Sequence, residues 1–154
     1  MKFSALNDDV KREFINQVAD ATDRALPNQV IEKDWWVTQV LKAVFALPYA
    51  EHLSFKGGTS LSKCWHLIER FSEDIDIAVS RDFLGYGGPL SRTQISDKLR
   101  RAACSFVRDK MQFDLNEALL RQGIAKDAFA VRVNITPIST TDPETIEVDL
   151  SFNL

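Results

Sequence analysis

Residues 74–79 read Asp-Ile-Asp-Ile-Ala-Val, a period of two rather than 3.6, and this alternation constrains the fold more than any other stretch. A strand that alternates in this way buries one face and wets the other, so the isoleucines anchor a core while both carboxylates project together from the opposite side. Such a strand needs partners. Leu53-Ser54-Phe55 is a short candidate broken by Gly57-Gly58, and Phe129 to Ile135 and Ile146 to Phe152 are two more. The turn Pro137 to Glu144, rich in Ser, Thr, Asp and Pro, joins the last two most simply as a hairpin.

Between these strands the apolar spacing turns helical. Val10, Phe14, Ile15, Val18 and Ala21 predict a helix from Asn7 to about Ala25, with Asn7 or Asp8 as cap and Pro27 as stop. A second runs from about Asn28 to Leu47, ended by Pro48. It carries Trp35 and Trp36, which cannot both face one core. A third spans about Ser60 to Glu69. Phe83 to Pro89 reads as loop, Ile95 to Met111 as a long amphipathic helix, and a further helix begins near Asp114 and ends at Gln122-Gly123. The order predicts an α+β domain with a small mixed β-sheet flanked by helices.

The 154 residues, 45% of them hydrophobic, fit one domain over 1–154 with a real core. Against 22 Asp+Glu stand 19 Lys+Arg, a net charge of −3, which excludes a uniformly cationic nucleic-acid binder. A local basic face stays open: Lys98, Arg100, Arg101, Arg108 and Lys110 fall on the polar side of the long helix, where phosphate contacts to RNA are one use and solvation the other. The most apolar stretch, Val37 to Pro48, is interrupted by Thr38, Gln39 and Lys42, too short and too polar to span a bilayer. The N-terminus lacks the apolar core of a secretory signal, so a cytoplasmic protein is expected. Cys64 and Cys104 then read as reduced, packed thiols. His52 and His66 have no partner at metal-ligand spacing, which disfavours a zinc site or a Ser-His-Asp hydrolase.

The chemistry concentrates in Phe55-Lys-Gly-Gly-Thr-Ser-Leu-Ser-Lys63 and Arg70-Phe-Ser-Glu-Asp-Ile-Asp-Ile77. A Gly pair after a strand and before a helix lets a ligand approach the backbone, and the helix start offers free N–H groups to an anion. Thr59, Ser60 and Ser62 add hydroxyls, and Lys56 and Lys63 are candidate phosphate partners. Ser62 precedes Lys63, so this is not a P-loop, which needs Gly there. Ile75 and Ile77 occupy positions where an EF-hand needs polar ligands or glycine. Two carboxylates as close as Asp74 and Asp76 need a cation between them, and hard oxygen ligands suit Mg2+ held jointly with substrate phosphates. A third carboxylate would complete a two-metal site, and Glu147 and Asp149, on a second strand, are both candidates.

The motifs KGGTSLSK and RFSEDIDI resemble the DNA polymerase β-type nucleotidyltransferase superfamily, and in particular the AbiEii/AbiGii toxin group of type IV toxin–antitoxin and abortive-infection systems. Ile31-Glu-Lys-Asp-Trp-Trp36 is similar to that group's N-terminal Glu-Lys-Asp-aromatic stretch. The resemblance covers roughly residues 30–80, with Glu147 to Phe152 as a looser match. It implies Mg2+-dependent transfer of a nucleoside monophosphate from an NTP to an acceptor hydroxyl, tRNA or another RNA first among acceptors, and a cognate antitoxin as partner. It implies that Gly57, Gly58, Thr59 and Ser60 hold the triphosphate, with Lys63 beside them. Asp74 and Asp76 would bind metal, Asp149 would be third ligand or base, and Lys33 and Asp34 would line the site. Members of the group continue into a helical C-terminal half with a further Lys-Asp motif. Leu154 follows soon after the third-carboxylate strand, so the chain is expected to be an N-terminal catalytic module. The alternative reading is a non-catalytic nucleotide- or protein-binding module on a degenerate nucleotidyltransferase fold; a third is phosphodiester hydrolysis by the same carboxylates.

Overall fold

A computed structural model describes residues 3, 6–21, 26–67, 74–134 and 147–152, with backbone alone for Asn134 and 147–152. Helix α1 (Asp8–Ala21) starts where the Asn7 side chain accepts a hydrogen bond from Val10 N at 2.9 Å, the cap expected of that residue. Its expected continuation to Ala25 lies outside the described residues. Helix α2 (Asn28–Val44) follows Pro27 and buries Trp36, Val37, Val40, Ala43 and Val44. Contrary to expectation, both tryptophans reach the same core, Trp36 within it and the half-buried Trp35 packed against it. Trp36 is 3% exposed, whereas Trp35 lies edge-on to it at 4.7 Å and meets Phe3 at 5.0 Å.

Strand β1 (Leu53–Lys56) leads directly into helix α3 (Gly57–Lys63). The glycines expected as a turn are thus the first helical residues, and the helix ends six residues before Glu69. It stops because His66 takes a left-handed backbone, φ 52°, and Leu67 N donates to Leu61 O at 3.0 Å. Cys64 consequently lies past the helix and is exposed, not packed as its apparent periodicity suggested; Cys104 is partly buried, and both are free thiols. A side chain at positive φ costs about 1–2 kcal/mol, part of which glycine recovers. His66→Gly is therefore expected to raise stability by about 0.5–1 kcal/mol. A urea midpoint that stays put or falls contradicts this account of the helix end.

Strand β2 (Asp76–Val79) pairs antiparallel with β1 in the register Leu53 to Val79 and Lys56 to Asp76. Past the glycine-bearing loop, Ser91 and Gln94 cap the next helix reciprocally, Gln94 N to Ser91 Oγ at 3.2 Å and Ser91 N to Gln94 Oε1 at 2.8 Å. From Gln94 to Arg121 the backbone stays right-handed helical. Two α-helical segments, α4 (Arg100–Phe106) and α5 (Gln112–Arg121), alternate with π-helical turns at Gln94–Leu99 and Val107–Met111. The expected break near Asp114 is the second of these turns. A π turn shifts the apolar stripe around the axis and so imitates a helix end in the pattern. Gly123, at φ 85°, closes the run, with Ile124 N donating back to Leu119 O and Gly123 N to Leu120 O, a Schellman stop.

Strands β3 (Phe129–Asn134) and β4 (Glu147–Phe152) pair antiparallel, as a hairpin requires; their connection lies outside the described residues. The structure is α+β, and among the described residues the strands form two antiparallel ribbons, β1–β2 and β3–β4, where one small mixed sheet was expected. The ribbons share a core. Trp36, Val40, Val44, Leu115 and Leu119 form its centre, with Ile77, Val131 and Val133 packed against it from the strands and Ile75 from just before β2.

Candidate active site

The core fixes which way the acidic strand faces. Ile75, Ile77 and Val79 pack inward, Asp74 and Asp76 are exposed, and the expected alternation holds. The strand itself begins only at Asp76. Asp74 precedes it, and its carbonyl oxygen accepts a hydrogen bond from Thr59 Oγ1 at 2.5 Å. Across the ladder, Lys56 stands directly opposite Asp76 on the exposed face, while Leu53 and Phe55 turn inward opposite Val79 and Ile77. One lysine and two carboxylates therefore share the edge of the β1–β2 ribbon from which α3 starts.

Gly57 is where this edge meets the helix. Its φ of 76° is left-handed, and a Cβ built on it would overlap Asp76 Oδ2 and come within 2.9 Å of Asp76 Cγ. The Asp76 carboxylate thus lies against the backbone of Gly57, in space that only glycine leaves. Beside it, a Cβ on Gly58 would meet nothing within 4 Å. Lys56, the residue before the helix, makes no side-chain capping bond. The N–H groups of the first turn are the ones a helix leaves without internal partners, and they attract negative charge.

Thr59 and Ser60 face the interior, 2% and 5% exposed. The Thr59 hydroxyl donates to the Asp74 carbonyl and so holds that backbone to the helix. Lys63 projects from the same side of α3, four residues beyond Thr59 and three beyond Ser60. Its Nζ lies 2.6 Å from Asp34 Oδ1 on α2. This pairing of two expected site residues, 29 positions apart in sequence, carries no local signal. Lys33, the other residue of that stretch, is exposed.

Residues 39–153 match the family described as "Nucleotidyl transferase AbiEii toxin, Type IV TA system". The chain belongs to the AbiEii family. No curated protein and no solved structure shows significant similarity to it. The match takes in β1, the Gly pair, the acidic strand and both later strands of this AbiEii chain, and leaves α1 and most of α2, Asp34 included, in front of it.

In the β3–β4 ladder of the AbiEii chain, Asp149 is registered opposite Arg132 and Glu147 opposite Asn134. Among the described residues no group of three or more His, Cys, Asp or Glu side chains gathers at one point. Asp74 and Asp76, both exposed and on one edge, are nonetheless a donor pair that suits Mg2+, which keeps several waters and takes one or two carboxylates plus phosphate oxygens.

The basic side of the long helix is less cationic than its sequence. Arg101 pairs with Asp97 at 2.6 Å, Arg108 with Asp109 at 2.7 Å and Lys110 with Asp114 at 2.9 Å. Arg100, expected on that polar face, is 6% exposed. The π turn before it brings both Leu99 and Arg100 inward. Among the described residues no helix is long and apolar enough to cross a membrane.

Proposed function

We propose that this AbiEii-family chain transfers a nucleoside monophosphate from an NTP to an acceptor hydroxyl, releasing pyrophosphate. The observation that carries the reading is the Asp76 carboxylate seated on Gly57 at the uncapped start of α3. A metal-ligating acid and a phosphate-binding helix turn then occupy one corner. The triphosphate lies along Gly57, Gly58, Thr59 and Ser60, held through main-chain N–H groups, with Lys56 and Lys63 supplying positive charge. Asp74 and Asp76 hold Mg2+, and Asp149, or Glu147 two positions before it, completes the ligand set. Bound there, Mg2+ would supply positive charge to offset that of the phosphates and of the departing pyrophosphate. Lys33 and Asp34 stand behind this shell.

The reaction forms a bond from the acceptor oxygen to the α-phosphorus and breaks the bond from that phosphorus to the oxygen bridging to the β-phosphate. The acceptor proton passes to a carboxylate, Asp149 in this assignment. The positioning is done by backbone and carboxylates, which is what phosphoryl transfer demands of a protein. An RNA, tRNA first, is the proposed acceptor, in the cytoplasm, and an antitoxin protein is the proposed partner. Arg101, Arg108 and Lys110 on the long helix are already paired with carboxylates, so the RNA is held chiefly at the NTP corner.

Incubation with Mg2+, total tRNA and each α-labelled NTP tests the proposal. Label is expected to enter RNA with the wild-type chain and to be lost with Asp74→Ala, and γ-label is expected to leave as pyrophosphate. Absence of transfer, or transfer indifferent to Asp74→Ala, contradicts it. Release of free nucleoside monophosphate indicates hydrolysis instead.

A further inference from the structure

Helix α3 has seven residues, fewer than an isolated helix needs to persist in water, so its orientation comes from its buried Thr59 and Ser60 and from what holds its two ends. At the first turn, Thr59 Oγ1 bonds to the backbone of the Asp74 segment. At the last residue, Lys63 Nζ meets Asp34 Oδ1 at 2.6 Å, with side chains 24% and 47% exposed. Lys63 is also the right charge for a helix C-terminus. Asp34 itself sits mid-helix on α2, where Trp36, Val37 and Val40 are buried in the core. The pair therefore ties a short, site-bearing helix to a long, well-anchored one.

We infer that Asp34 is a positioning residue. Through Lys63 it sets the angle of α3, and so the aim of the Gly57 and Gly58 N–H groups and the fit of Asp76 against Gly57. The inference rests on the NTP site proposed above for its functional consequence, but not for its structural one. It also places a determinant of the site in the segment ahead of the family match, since Asp34 precedes residue 39.

Two measurements on the full chain decide it. In amide-correlation and side-chain carboxyl-carbon NMR spectra without nucleotide, Asp34→Asn is expected to shift the Gly57, Gly58 and Thr59 amide resonances and the carboxyl carbon of Asp76, respectively. The double reversal Asp34→Lys with Lys63→Asp is expected to move them back toward wild type. In steady-state assays Asp34→Asn is expected to raise the KM for MgNTP about five-fold while kcat stays within about two-fold, the size of one partly exposed ion pair acting on binding. Shifts confined to the neighbours of residues 34 and 63, or no recovery in the double reversal, overturn the positioning role. If the wild-type chain transfers nothing, the spectra still decide the positioning role and the failure falls on the nucleotidyl-transfer reading.

Discussion

Asp76→Asn is expected to lower nucleotidyl transfer by about 10³-fold while leaving the folded chain intact, a loss of about 4 kcal/mol of transition-state stabilisation. The asymmetry follows from where Asp76 sits. Its carboxylate is exposed on the outer edge of β2 and lies against the main chain of Gly57, whereas the core is held by Ile75, Ile77 and Val79 on the other side. Asparagine keeps the shape and removes the charge. What the fold loses is the attraction of a carboxylate for a helix N-terminus, about 1 kcal/mol or less at an exposed site. What the reaction loses, on the proposed mechanism, is a metal ligand beside the triphosphate. A variant that retains more than a tenth of wild-type transfer, measured with thermal unfolding in parallel, removes Asp76 from the metal set.

Gly57→Ala is expected to cost about 2–3 kcal/mol of stability and to disable the site even in molecules that fold. Two penalties add. A side chain at φ 76° is strained by about 1–2 kcal/mol, and its Cβ takes the space of the Asp76 carboxylate, which must swing away. Gly58→Ala supplies the contrast. Its Cβ enters open space, and alanine outranks glycine inside a helix, so its stability should stay within about 0.5 kcal/mol of wild type or rise. Urea denaturation of the two variants checks the pair. Equal losses at both positions contradict the assignment of Asp76 to the Gly57 backbone.

Much of this fold was legible in the sequence where one physical rule acted alone. The Asp-Ile-Asp-Ile alternation set the inner and outer faces of β2, Asn7 capped α1, and the last two strands paired antiparallel. Where two rules competed, the pattern misled. Gly57 and Gly58 read as a turn because glycine is a poor helix former, yet an uncapped helix entered at positive φ needs glycine at its first position. His66 gave no sign that it would end α3, since a left-handed histidine leaves no mark in periodicity. The π turns rotated the apolar stripe, so one continuous helical run read as two, and Arg100 was counted on a face from which the structure turns it. Cys64 was placed on a helix that stops one residue before it.

The site divided in the same way. Its local part, the Gly pair followed by Asp74 and Asp76, was visible as a motif because those residues are close in sequence and their chemistry is unusual in that order. The Asp34–Lys63 contact was not, because it depends on how α2 and α3 pack. The inward turn of Thr59 and Ser60 was not either, nor the hydrogen bond that the Thr59 hydroxyl gives to the Asp74 carbonyl.

The claim on which the account rests is that one metal–triphosphate complex binds between the acidic strand and the start of α3. Crystals of the chain grown with Mn2+ and an NTP analogue that cannot be cleaved, measured at the manganese edge, test it directly. The account predicts an anomalous peak coordinated by Asp74 and Asp76, joined by Asp149 or Glu147, with the phosphates against Gly57 and Gly58. Manganese and nucleotide bound away from Asp76, or nucleotide bound with its phosphates remote from the Gly57 turn, would contradict it.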